Sequence, residues 1–174
     1  KAFHEQAERF GTEVIFDLAT EVDFSEKPYK VTTYSEAFTA DTLIITTGAA
    51  AVTLGIPGEE EMVGRGVSYC ATCDGHFFKD TDVVVVGGGD SALEEALYLT
   101  RHANKVTIIH RRDELRAGSI LKQRAEENPK IHFIWDTVVT DVPTGEKVAS
   151  VKVKNVKTGA ESAIAADGLF IFIG

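Results

Sequence analysis

The fold of this chain is decided by Val83-Val84-Val85-Val86-Gly87-Gly88-Gly89-Asp90-Ser91-Ala92, an apolar strand that ends in a glycine turn. Within it, Gly87, Gly89 and Ala92 fit the pattern G-x-G-x-x-A. The first glycine permits the tight turn, the second lets backbone approach a pyrophosphate, and the small third residue lets the following helix pack on the strand. Free N–H groups at the start of that helix favour phosphates. The stretch therefore predicts a dinucleotide-binding site.

Strands and helices alternate around this turn, and Asp90 and Ser91 are expected to cap the first helix. An alternation of this kind predicts a parallel sheet covered by helices, which is the Rossmann-like α/β class. Three antiparallel strands and a buried closing strand follow, so we expect three layers: parallel sheet, helices and a β-meander. The predicted strands cover 82–86, 105–110, 131–135, 138–142, 148–156, 162–165 and 169–173, and the predicted helices cover 90–102 and 119–128.

The first 60 residues show a different pattern, with an amphipathic helix expected over 1–10. Three strand-like runs are predicted after it, over 13–16, 29–34 and 42–46. The last of these runs into glycine, as the closing strand of the chain does, which suggests two related nucleotide-binding units.

We therefore divide the chain into two predicted domains. Residues 1–60 are expected to be part of a first domain, 61–66 a linker, and 67–174 a second, complete nucleotide-binding domain. The boundary rests on Gly55-Ile56-Pro57-Gly58-Glu59-Glu60-Glu61, a stretch rich in glycine, proline and charge, which is typical of a linker.

The strand that follows the first helix indicates which dinucleotide is bound. An NAD site usually ends this strand with an acid that binds the ribose 2′-hydroxyl. Here the strand ends at His110-Arg111-Arg112, with Arg116 one turn further on. Arginines suit a 2′-phosphate, so NADPH is favoured over NADH. The alternative is a solvated basic turn whose arginines pair with Asp113 and Glu114.

The two cysteines, Cys70 and Cys73, form a C-x-x-C pair that is followed at once by Asp74. At this spacing one thiol can attack a disulfide while the other resolves it. The adjacent carboxyl group is placed to handle protons as thiolates form and leave. The alternative is a pair of buried structural cysteines. No metal site is expected, because zinc needs more ligands than this pair supplies and the histidines are scattered.

Composition limits the classes of partner. The chain has 174 residues, 44% of them hydrophobic, and a net charge of −9, which argues against nucleic acid. No apolar run approaches the roughly 20 residues of a membrane span, and the first residues do not resemble a signal peptide. Two cysteines at redox spacing fit a reducing compartment, so we expect a cytoplasmic protein without membrane contact.

A dinucleotide site beside a dithiol indicates the chemistry. NADPH delivers a hydride, and direct hydride transfer to a disulfide is not normal protein chemistry. An intermediary such as a flavin is therefore required between the nicotinamide and the Cys70–Cys73 pair.

Three stretches together closely resemble the low-molecular-weight thioredoxin reductases. They are Cys70-Ala71-Thr72-Cys73-Asp74-Gly75, Gly87-Gly88-Gly89-Asp90-Ser91-Ala92 and His110-Arg111-Arg112-Asp113-Glu114-Leu115-Arg116-Ala117. The resemblance runs over nearly the whole chain. It implies a homodimeric FAD enzyme with an inserted NADPH domain, which passes electrons from NADPH through FAD to its disulfide and on to thioredoxin.

The resemblance also implies residue roles. Cys73 would face the flavin, Cys70 would attack the disulfide of thioredoxin, and Asp74 would be the general acid. Residues 1–60 would be part of the FAD domain, with Thr47, Gly48 and Ala49 against FAD. The NADPH domain, 67–174, would bind its cofactor through Gly87, Gly88, Gly89, Asp90, Ser91, Ala92, His110, Arg111, Arg112 and Arg116.

Two other functions stay open. The flavoprotein subunit of alkyl hydroperoxide reductase has a similar core, with an additional thioredoxin-like domain at its N-terminus. A non-catalytic NADPH-binding module could use the dithiol as a redox switch without any flavin. The FAD glycine fingerprint of the family and its C-terminal segment are not in this sequence, so we expect residues 1–174 alone to be inactive.

Overall fold

The structure, a computed structural model, describes residues 2–174. These residues form two compact units, one that extends to Ala49 and one that runs from Ala50 to Gly174. They are called unit 1 and unit 2 below. Lys1, which the sequence pattern assigns to the first helix, lies outside the described residues. Within residues 2–174, no helix has the length and apolar character of a membrane-spanning segment.

A five-stranded parallel sheet forms the centre of unit 2. Its strands are β4 (Val67–Ser68), β5 (Asp82–Val86), β6 (Lys105–Ile109), β7 (Ile131–Ile134) and β11 (Gly168–Ile171). Their spatial order is β4-β11-β5-β6-β7, and each neighbouring pair is parallel. The predicted parallel sheet is therefore confirmed, and β5 lies at its centre.

Strand β5 reads as a continuous run of valines because both faces of the sheet are covered. Successive side chains of a strand point to opposite faces. Val83 and Val85 pack into one hydrophobic cluster, and Val84 and Val86 pack into another on the opposite face. All four are buried, and each contributes roughly 1.5 kcal/mol to stability.

One face of the sheet is covered by helices. They are α2 (Ala71–Asp74), a 3₁₀ turn (Gly75–Phe78), α3 (Asp90–Leu99) and α4 (Ser119–Glu126). The buried side chains of α3, among them Leu93, Ala96 and Leu99, join the cluster that contains Val83 and Val85. Helix α3 is stopped by a tight turn in which the His102 N–H donates to the Leu99 carbonyl, so it is shorter than predicted.

The predicted capping of α3 by Asp90 or Ser91 is wrong. Gly89 occupies the N-cap position, and no side chain caps the helix. Asp90 Oδ1 instead accepts a hydrogen bond from the Gly118 N–H at 2.7 Å. The carboxylate therefore ties the start of α3 to the start of α4, a pairing that local sequence rules do not foresee.

The opposite face of the sheet is covered by the predicted β-meander. Its strands are β8 (Thr137–Asp141), β9 (Ser150–Asn155) and β10 (Glu161–Ala165), and they pair antiparallel in the order β10-β9-β8. Val139, Val151 and Val153 join the cluster that contains Val84 and Val86. The three-layer Rossmann-like architecture is therefore confirmed.

Residues 50–66 pack within unit 2. Met62 is fully buried, and Leu54 and Ile56 pack against the meander side of the core. The Pro57 carbonyl accepts a hydrogen bond from the Val142 N–H, and the Arg65 carbonyl accepts one from the Val148 N–H. The segment is thus bonded into unit 2, while the domain boundaries drawn from the sequence stay a prediction.

Unit 1 contains α1 (Ala2–Arg9) and an antiparallel sheet of β1 (Ala19–Asp23), β2 (Tyr29–Thr33) and β3 (Ala37–Ala40). The predicted strands over 13–16 and 42–46 are wrong, since neither run is a strand. A strand needs a neighbouring strand to satisfy its backbone groups, and neither run pairs with one within residues 2–174. Ile44 and Ile45 are accordingly exposed.

The glycine turn after β5 contains glycines of two different kinds. Gly87 has a φ of 150°, and a Cβ there would overlap the Phe172 carbonyl oxygen and the Ala92 side chain. Gly89 has a φ of −95°, and a Cβ there would have no atom within 4 Å. The packing of the fold therefore requires a glycine at position 87 but not at position 89.

We therefore expect Gly87→Ala to lower the free energy of unfolding of unit 2 by roughly 2–4 kcal/mol, because the strained φ and the overlap add. The matched change Gly89→Ala should cost less than about 1 kcal/mol, the usual range for an N-cap glycine. Urea unfolding followed by the fluorescence of Trp135, the one tryptophan, measures both. Equal losses in the two variants would contradict this view of the turn.

Candidate functional site

The glycine turn and the loop after β6 line a common cavity of about 350 Å³ in unit 2. Six residues assigned to nucleotide binding from the sequence meet there: Gly87, Gly88, His110, Arg111, Arg112 and Arg116. The remaining walls come from 52–54, 137–139 and 172–174, together with the ends of β5 and β6. The other four assigned residues, Gly89, Asp90, Ser91 and Ala92, begin α3 and do not line this cavity.

Backbone hydrogen bonds hold the arginine loop, residues 110–117, against the glycine turn. The Gly88 carbonyl accepts from the Arg116 N–H at 2.7 Å and from the Ala117 N–H at 3.2 Å. Leu115 and Ala117 are buried in the core, while Arg116 between them is exposed. Arg116 is thus turned away from the core, and it lines the cavity together with Arg111 and Arg112.

The three arginines of this loop form no salt bridge within residues 2–174. The two acids of the loop have other partners: Asp113 pairs with Lys157 at 2.9 Å, and Glu114 pairs with Lys122 at 3.3 Å. The alternative in which Asp113 and Glu114 neutralise the arginines is therefore not what the structure contains. Three guanidinium groups stay available to an anionic ligand.

His110 lies beneath the glycine turn, and its ring occupies the space into which a Cβ of Gly88 would point. Burial lowers the pKa of His110, and the positive charges of the loop arginines lower it further, which outweighs a backbone hydrogen bond at Glu114. The imidazole is buried, and Nε2 has no hydrogen-bond partner within residues 2–174. His110 thus supports the turn as a neutral ring and adds no positive charge to the cavity.

The start of α3 has the features that a close ligand requires. Ala92 is fully buried against Gly87, so the helix packs tightly on β5. Gly89, in contrast, faces open space, so protein packing gives no reason for a glycine there. An open helix N-terminus of this kind can accept an anionic ligand close to its backbone.

Cys70 and Cys73 form a disulfide at the start of α2. Cys70 is the N-cap residue, and its Sγ accepts a hydrogen bond from the Cys73 N–H at 3.2 Å. Cys73 is exposed and Cys70 is half-buried, which does not fit the alternative of two buried structural cysteines. Neither cysteine lines the arginine cavity.

Asp74 is connected to this disulfide through Ser68. Its Oδ2 accepts a hydrogen bond from the Ser68 hydroxyl at 2.6 Å, and Ser68 Oγ accepts one from the Cys70 N–H at 3.1 Å. Ser68 is buried and Asp74 is half-buried. The Asp74 carboxylate, at the end of α2, is thus held in a fixed position near the disulfide.

Glu95 links α3 to the dithiol and was missed in the sequence. Its Oε2 accepts a hydrogen bond from the Ala71 N–H at 3.1 Å. Ala71 is fully buried against the helical side of the core, and Glu95 is half-buried. The two residues lie 24 positions apart, and no local pattern signals their contact.

Glu59 was read as part of a charged linker, but it is a buried anchor. Its carboxylate accepts hydrogen bonds from the Leu54, Gly55 and Ile56 N–H groups and from the Tyr69 hydroxyl, the last at 2.8 Å. Burial raises the pKa of Glu59, but these donors more than offset it and hold the net pKa below its ordinary value. Burial and the bond to Glu59 raise the pKa of Tyr69 to about 12.

Thr47, Gly48 and Ala49 belong to unit 1, and all three are exposed. Gly48 has a φ of 85°, a conformation that favours glycine, and a Cβ there would have no atom within 4 Å. Their assignment to a flavin stays a prediction.

A Rossmann-like unit that has an exposed disulfide fixed to its first long helix is built as a nucleotide-linked disulfide oxidoreductase. Comparison with known families agrees with this class. The chain belongs to the pyridine nucleotide-disulphide oxidoreductase family, whose profile matches residues 1–174.

Individual relatives of this chain, both curated and solved, are thioredoxin reductases. A thioredoxin reductase from Streptomyces coelicolor is 51% identical over 170 residues, covering 97% of this chain and 53% of the relative. A solved thioredoxin reductase from Giardia duodenalis has a TM-score of 0.86 at 39% identity, and one from Lactococcus lactis has 0.77 at 47%. Each of these two structural alignments covers 99% of this chain and 57% of the solved chain. The chain spans about half the length of the curated relatives it matches.

The bond between Tyr69 and Glu59 gives a pH-dependent test. Because the folded-state pKa of Tyr69 is raised from 10.0 to about 12, its contribution is complete below pH 10 and is lost as the pH rises toward 12. We expect Tyr69→Phe to lower the free energy of unfolding of unit 2 by about 1 kcal/mol near neutral pH. The difference between variant and parent should disappear near the upper pH.

Urea midpoints of parent and variant, measured across this pH range, test the expectation. Tyr98→Phe is the matched control, since its hydroxyl makes no hydrogen bond within residues 2–174. A pH-independent difference for Tyr69→Phe would show that the Glu59 bond is not its source.

Proposed function

We propose that the whole protein is a thioredoxin-disulfide reductase that passes electrons from NADPH through FAD to the Cys70–Cys73 disulfide and on to thioredoxin. The observation that carries this proposal is that one unit holds both an exposed disulfide and a cavity with three unpaired arginines. The curated relatives named above are thioredoxin reductases, which supports the same function.

In this proposal, the arginine cavity is the NADPH site. Arg111, Arg112 and Arg116 hold the 2′-phosphate through charge-assisted hydrogen bonds, which a neutral ribose hydroxyl cannot match. The pyrophosphate lies at the start of α3, where Gly89 leaves the backbone open. Asp90, at the start of the same helix, also fixes Gly118 through its carboxylate.

The dithiol and the arginine cavity are separate, since neither cysteine lines that cavity. A carrier between them is therefore needed, and a flavin supplies one, because it accepts a hydride and returns two electrons to a disulfide. We propose FAD as that carrier, with Thr47, Gly48 and Ala49 against it and Cys73, the more exposed cysteine, as the sulfur that faces it.

The remaining steps are thiol–disulfide exchange. Two electrons and two protons convert the Cys70–Cys73 disulfide to two thiols. The Cys70 thiol gives its proton to the Asp74 carboxylate, and the resulting thiolate attacks one sulfur of the thioredoxin disulfide to form a mixed disulfide. The other thioredoxin sulfur leaves as a thiolate and takes that proton from Asp74. Cys73 then attacks Cys70, restores the Cys70–Cys73 disulfide and releases the second thioredoxin thiol.

We also propose that the whole protein is a cytoplasmic homodimer. A dithiol that is oxidised and reduced in each cycle fits a reducing compartment. The resemblance to the thioredoxin reductases supports the dimer.

The roles of the two cysteines are tested in the full-length protein. We expect Cys70→Ser to reduce NADPH-dependent reduction of thioredoxin by at least about 100-fold, because the attacking thiol is lost. Flavin reduction by NADPH should persist. Cys73→Ser should also stop turnover, but its remaining Cys70 thiol should form a stable mixed disulfide with thioredoxin.

Stopped-flow absorbance follows the flavin, and non-reducing electrophoresis detects the mixed disulfide. The proposed division of roles fails if Cys70→Ser keeps parental turnover, or if the mixed disulfide forms with Cys70→Ser and not with Cys73→Ser. A full-length protein that binds no flavin would exclude the proposed route and favour the redox-sensor module.

Cofactor choice is tested by Arg111→Ala/Arg112→Ala. Loss of two charge-assisted hydrogen bonds should weaken NADPH binding by about 100-fold and change NADH binding by less than about twofold. Arg101→Ala/Arg124→Ala is the matched control, because it removes the same charge from a different cavity beside α3 and α4. Titration of the full-length protein with NADPH and with NADH measures both affinities. An equal loss of affinity for the two nucleotides would exclude the 2′-phosphate assignment.

A further inference from the structure

Lys157, in the turn between β9 and β10, contacts two acids: Asp113 in the arginine loop and Asp136 after it in the chain. Its Nζ lies 2.9 Å from Asp113 Oδ2 and 3.0 Å from Asp136 Oδ2. Asp113 is part of the loop itself, directly after Arg112, and Asp136 follows β7. One cation thus engages two carboxylates whose chain neighbours, Arg112 and Thr137, line the cavity.

The backbone keeps this turn beside the loop. The Arg112 carbonyl accepts a hydrogen bond from the Asp136 N–H at 3.2 Å, and the Asp136 carbonyl accepts one from the Val156 N–H. Asn155 Oδ1 accepts from the Lys157 and Thr158 N–H groups and so orders the turn. The position of Lys157 is therefore set by the meander.

The charges on this group are well defined. Hydrogen bonds to Asp113 and Asp136 raise the pKa of Lys157, and the bond to Lys157 lowers the pKa of Asp113. Lys157 and Asp113 therefore stay ionised near neutral pH. Asp113 is the carboxylate nearest in sequence to Arg111 and Arg112, and 72% of its side chain is exposed. Without Lys157, this carboxylate would be free to turn toward the two arginines.

We propose that Lys157 determines specificity for the 2′-phosphate by engaging Asp113 and Asp136, so that these carboxylates neither pair with the loop arginines nor repel the phosphate. Lys157 acts through the two acids, so it is a positioning residue. The inference rests on the proposed function, since it assumes a dinucleotide that has a 2′-phosphate.

The expected loss of affinity is moderate, because Lys157 and Asp113 are at the surface and salt screens their charges. In the full-length protein, Lys157→Met should weaken binding of adenosine 2′,5′-bisphosphate by roughly fivefold. Binding of adenosine 5′-monophosphate, which has no 2′-phosphate, should change by less than about twofold. The selective loss should shrink at high salt.

Two further variants make the test specific. Lys157→Met/Asp113→Asn removes one freed carboxylate together with the cation, so it should regain most of the lost affinity. Lys154→Met is the matched control, since Lys154 is on the same meander and pairs with Glu161 at 3.2 Å. It should bind both nucleotides as the parent does.

Isothermal titration calorimetry of each variant with both nucleotides decides the matter. Unchanged binding of the bisphosphate by Lys157→Met, equal weakening of both nucleotides, or no rescue by Asp113→Asn would each overturn the inference. Arg111→Ala/Arg112→Ala is measured alongside. If it loses selectivity and Lys157→Met does not, only this inference fails; if it keeps the parental selectivity, the NADPH assignment fails as well.

Discussion

The carbonyl of Gly88 is the contact on which the candidate nucleotide site depends. It accepts the N–H groups of Arg116 and Ala117, while the Gly87 N–H donates to the Ile109 carbonyl at the end of β6. Three segments thus meet at a turn that has no side chains. A Cβ on Gly87 would overlap backbone, and one on Gly88 would overlap His110. Two glycines are therefore needed to bring the arginines to the cavity, before any ligand is considered.

Helix α3 extends this constraint to the dithiol. Its first residue, Asp90, is bonded to Gly118, and Glu95 near its middle accepts the Ala71 N–H. Gly75, directly after the dithiol helix, packs so closely on α3 that a Cβ would lie 3.1 Å from Leu99. The dithiol and the arginine cavity consequently belong to the same unit and are linked through α3. Because their separation is set by contacts within unit 2, the electron transfer proposed above requires another group between them.

Local patterns predicted most of unit 2, but in unit 1 they predicted only α1 and β2 and missed β1 and β3. Sequence patterns predicted three features of unit 2 correctly: the valine strand β5, the glycine turn and the meander. Each of them follows a short-range rule about burial, φ or turns. The strands over 13–16 and 42–46 were misplaced because strand formation depends on a partner elsewhere in the chain. The same limit applies to the site: Asp90 was read as a helix cap and Glu59 as a linker charge. Their actual partners are set by tertiary packing, as are those of Glu95 and Lys157.

The acidic composition of the chain is compatible with a site for a phosphate. A net charge of −9 describes the whole chain, but charges more than roughly 8 Å apart are largely screened at physiological salt. A ligand in the cavity therefore responds to the nearest groups. These are three unpaired arginines, together with acids that already have lysine partners. Nucleic acid requires a basic surface that follows many phosphates, whereas one phosphate requires only one cluster of donors. The composition therefore argues against the first kind of ligand without weakening the case for the second.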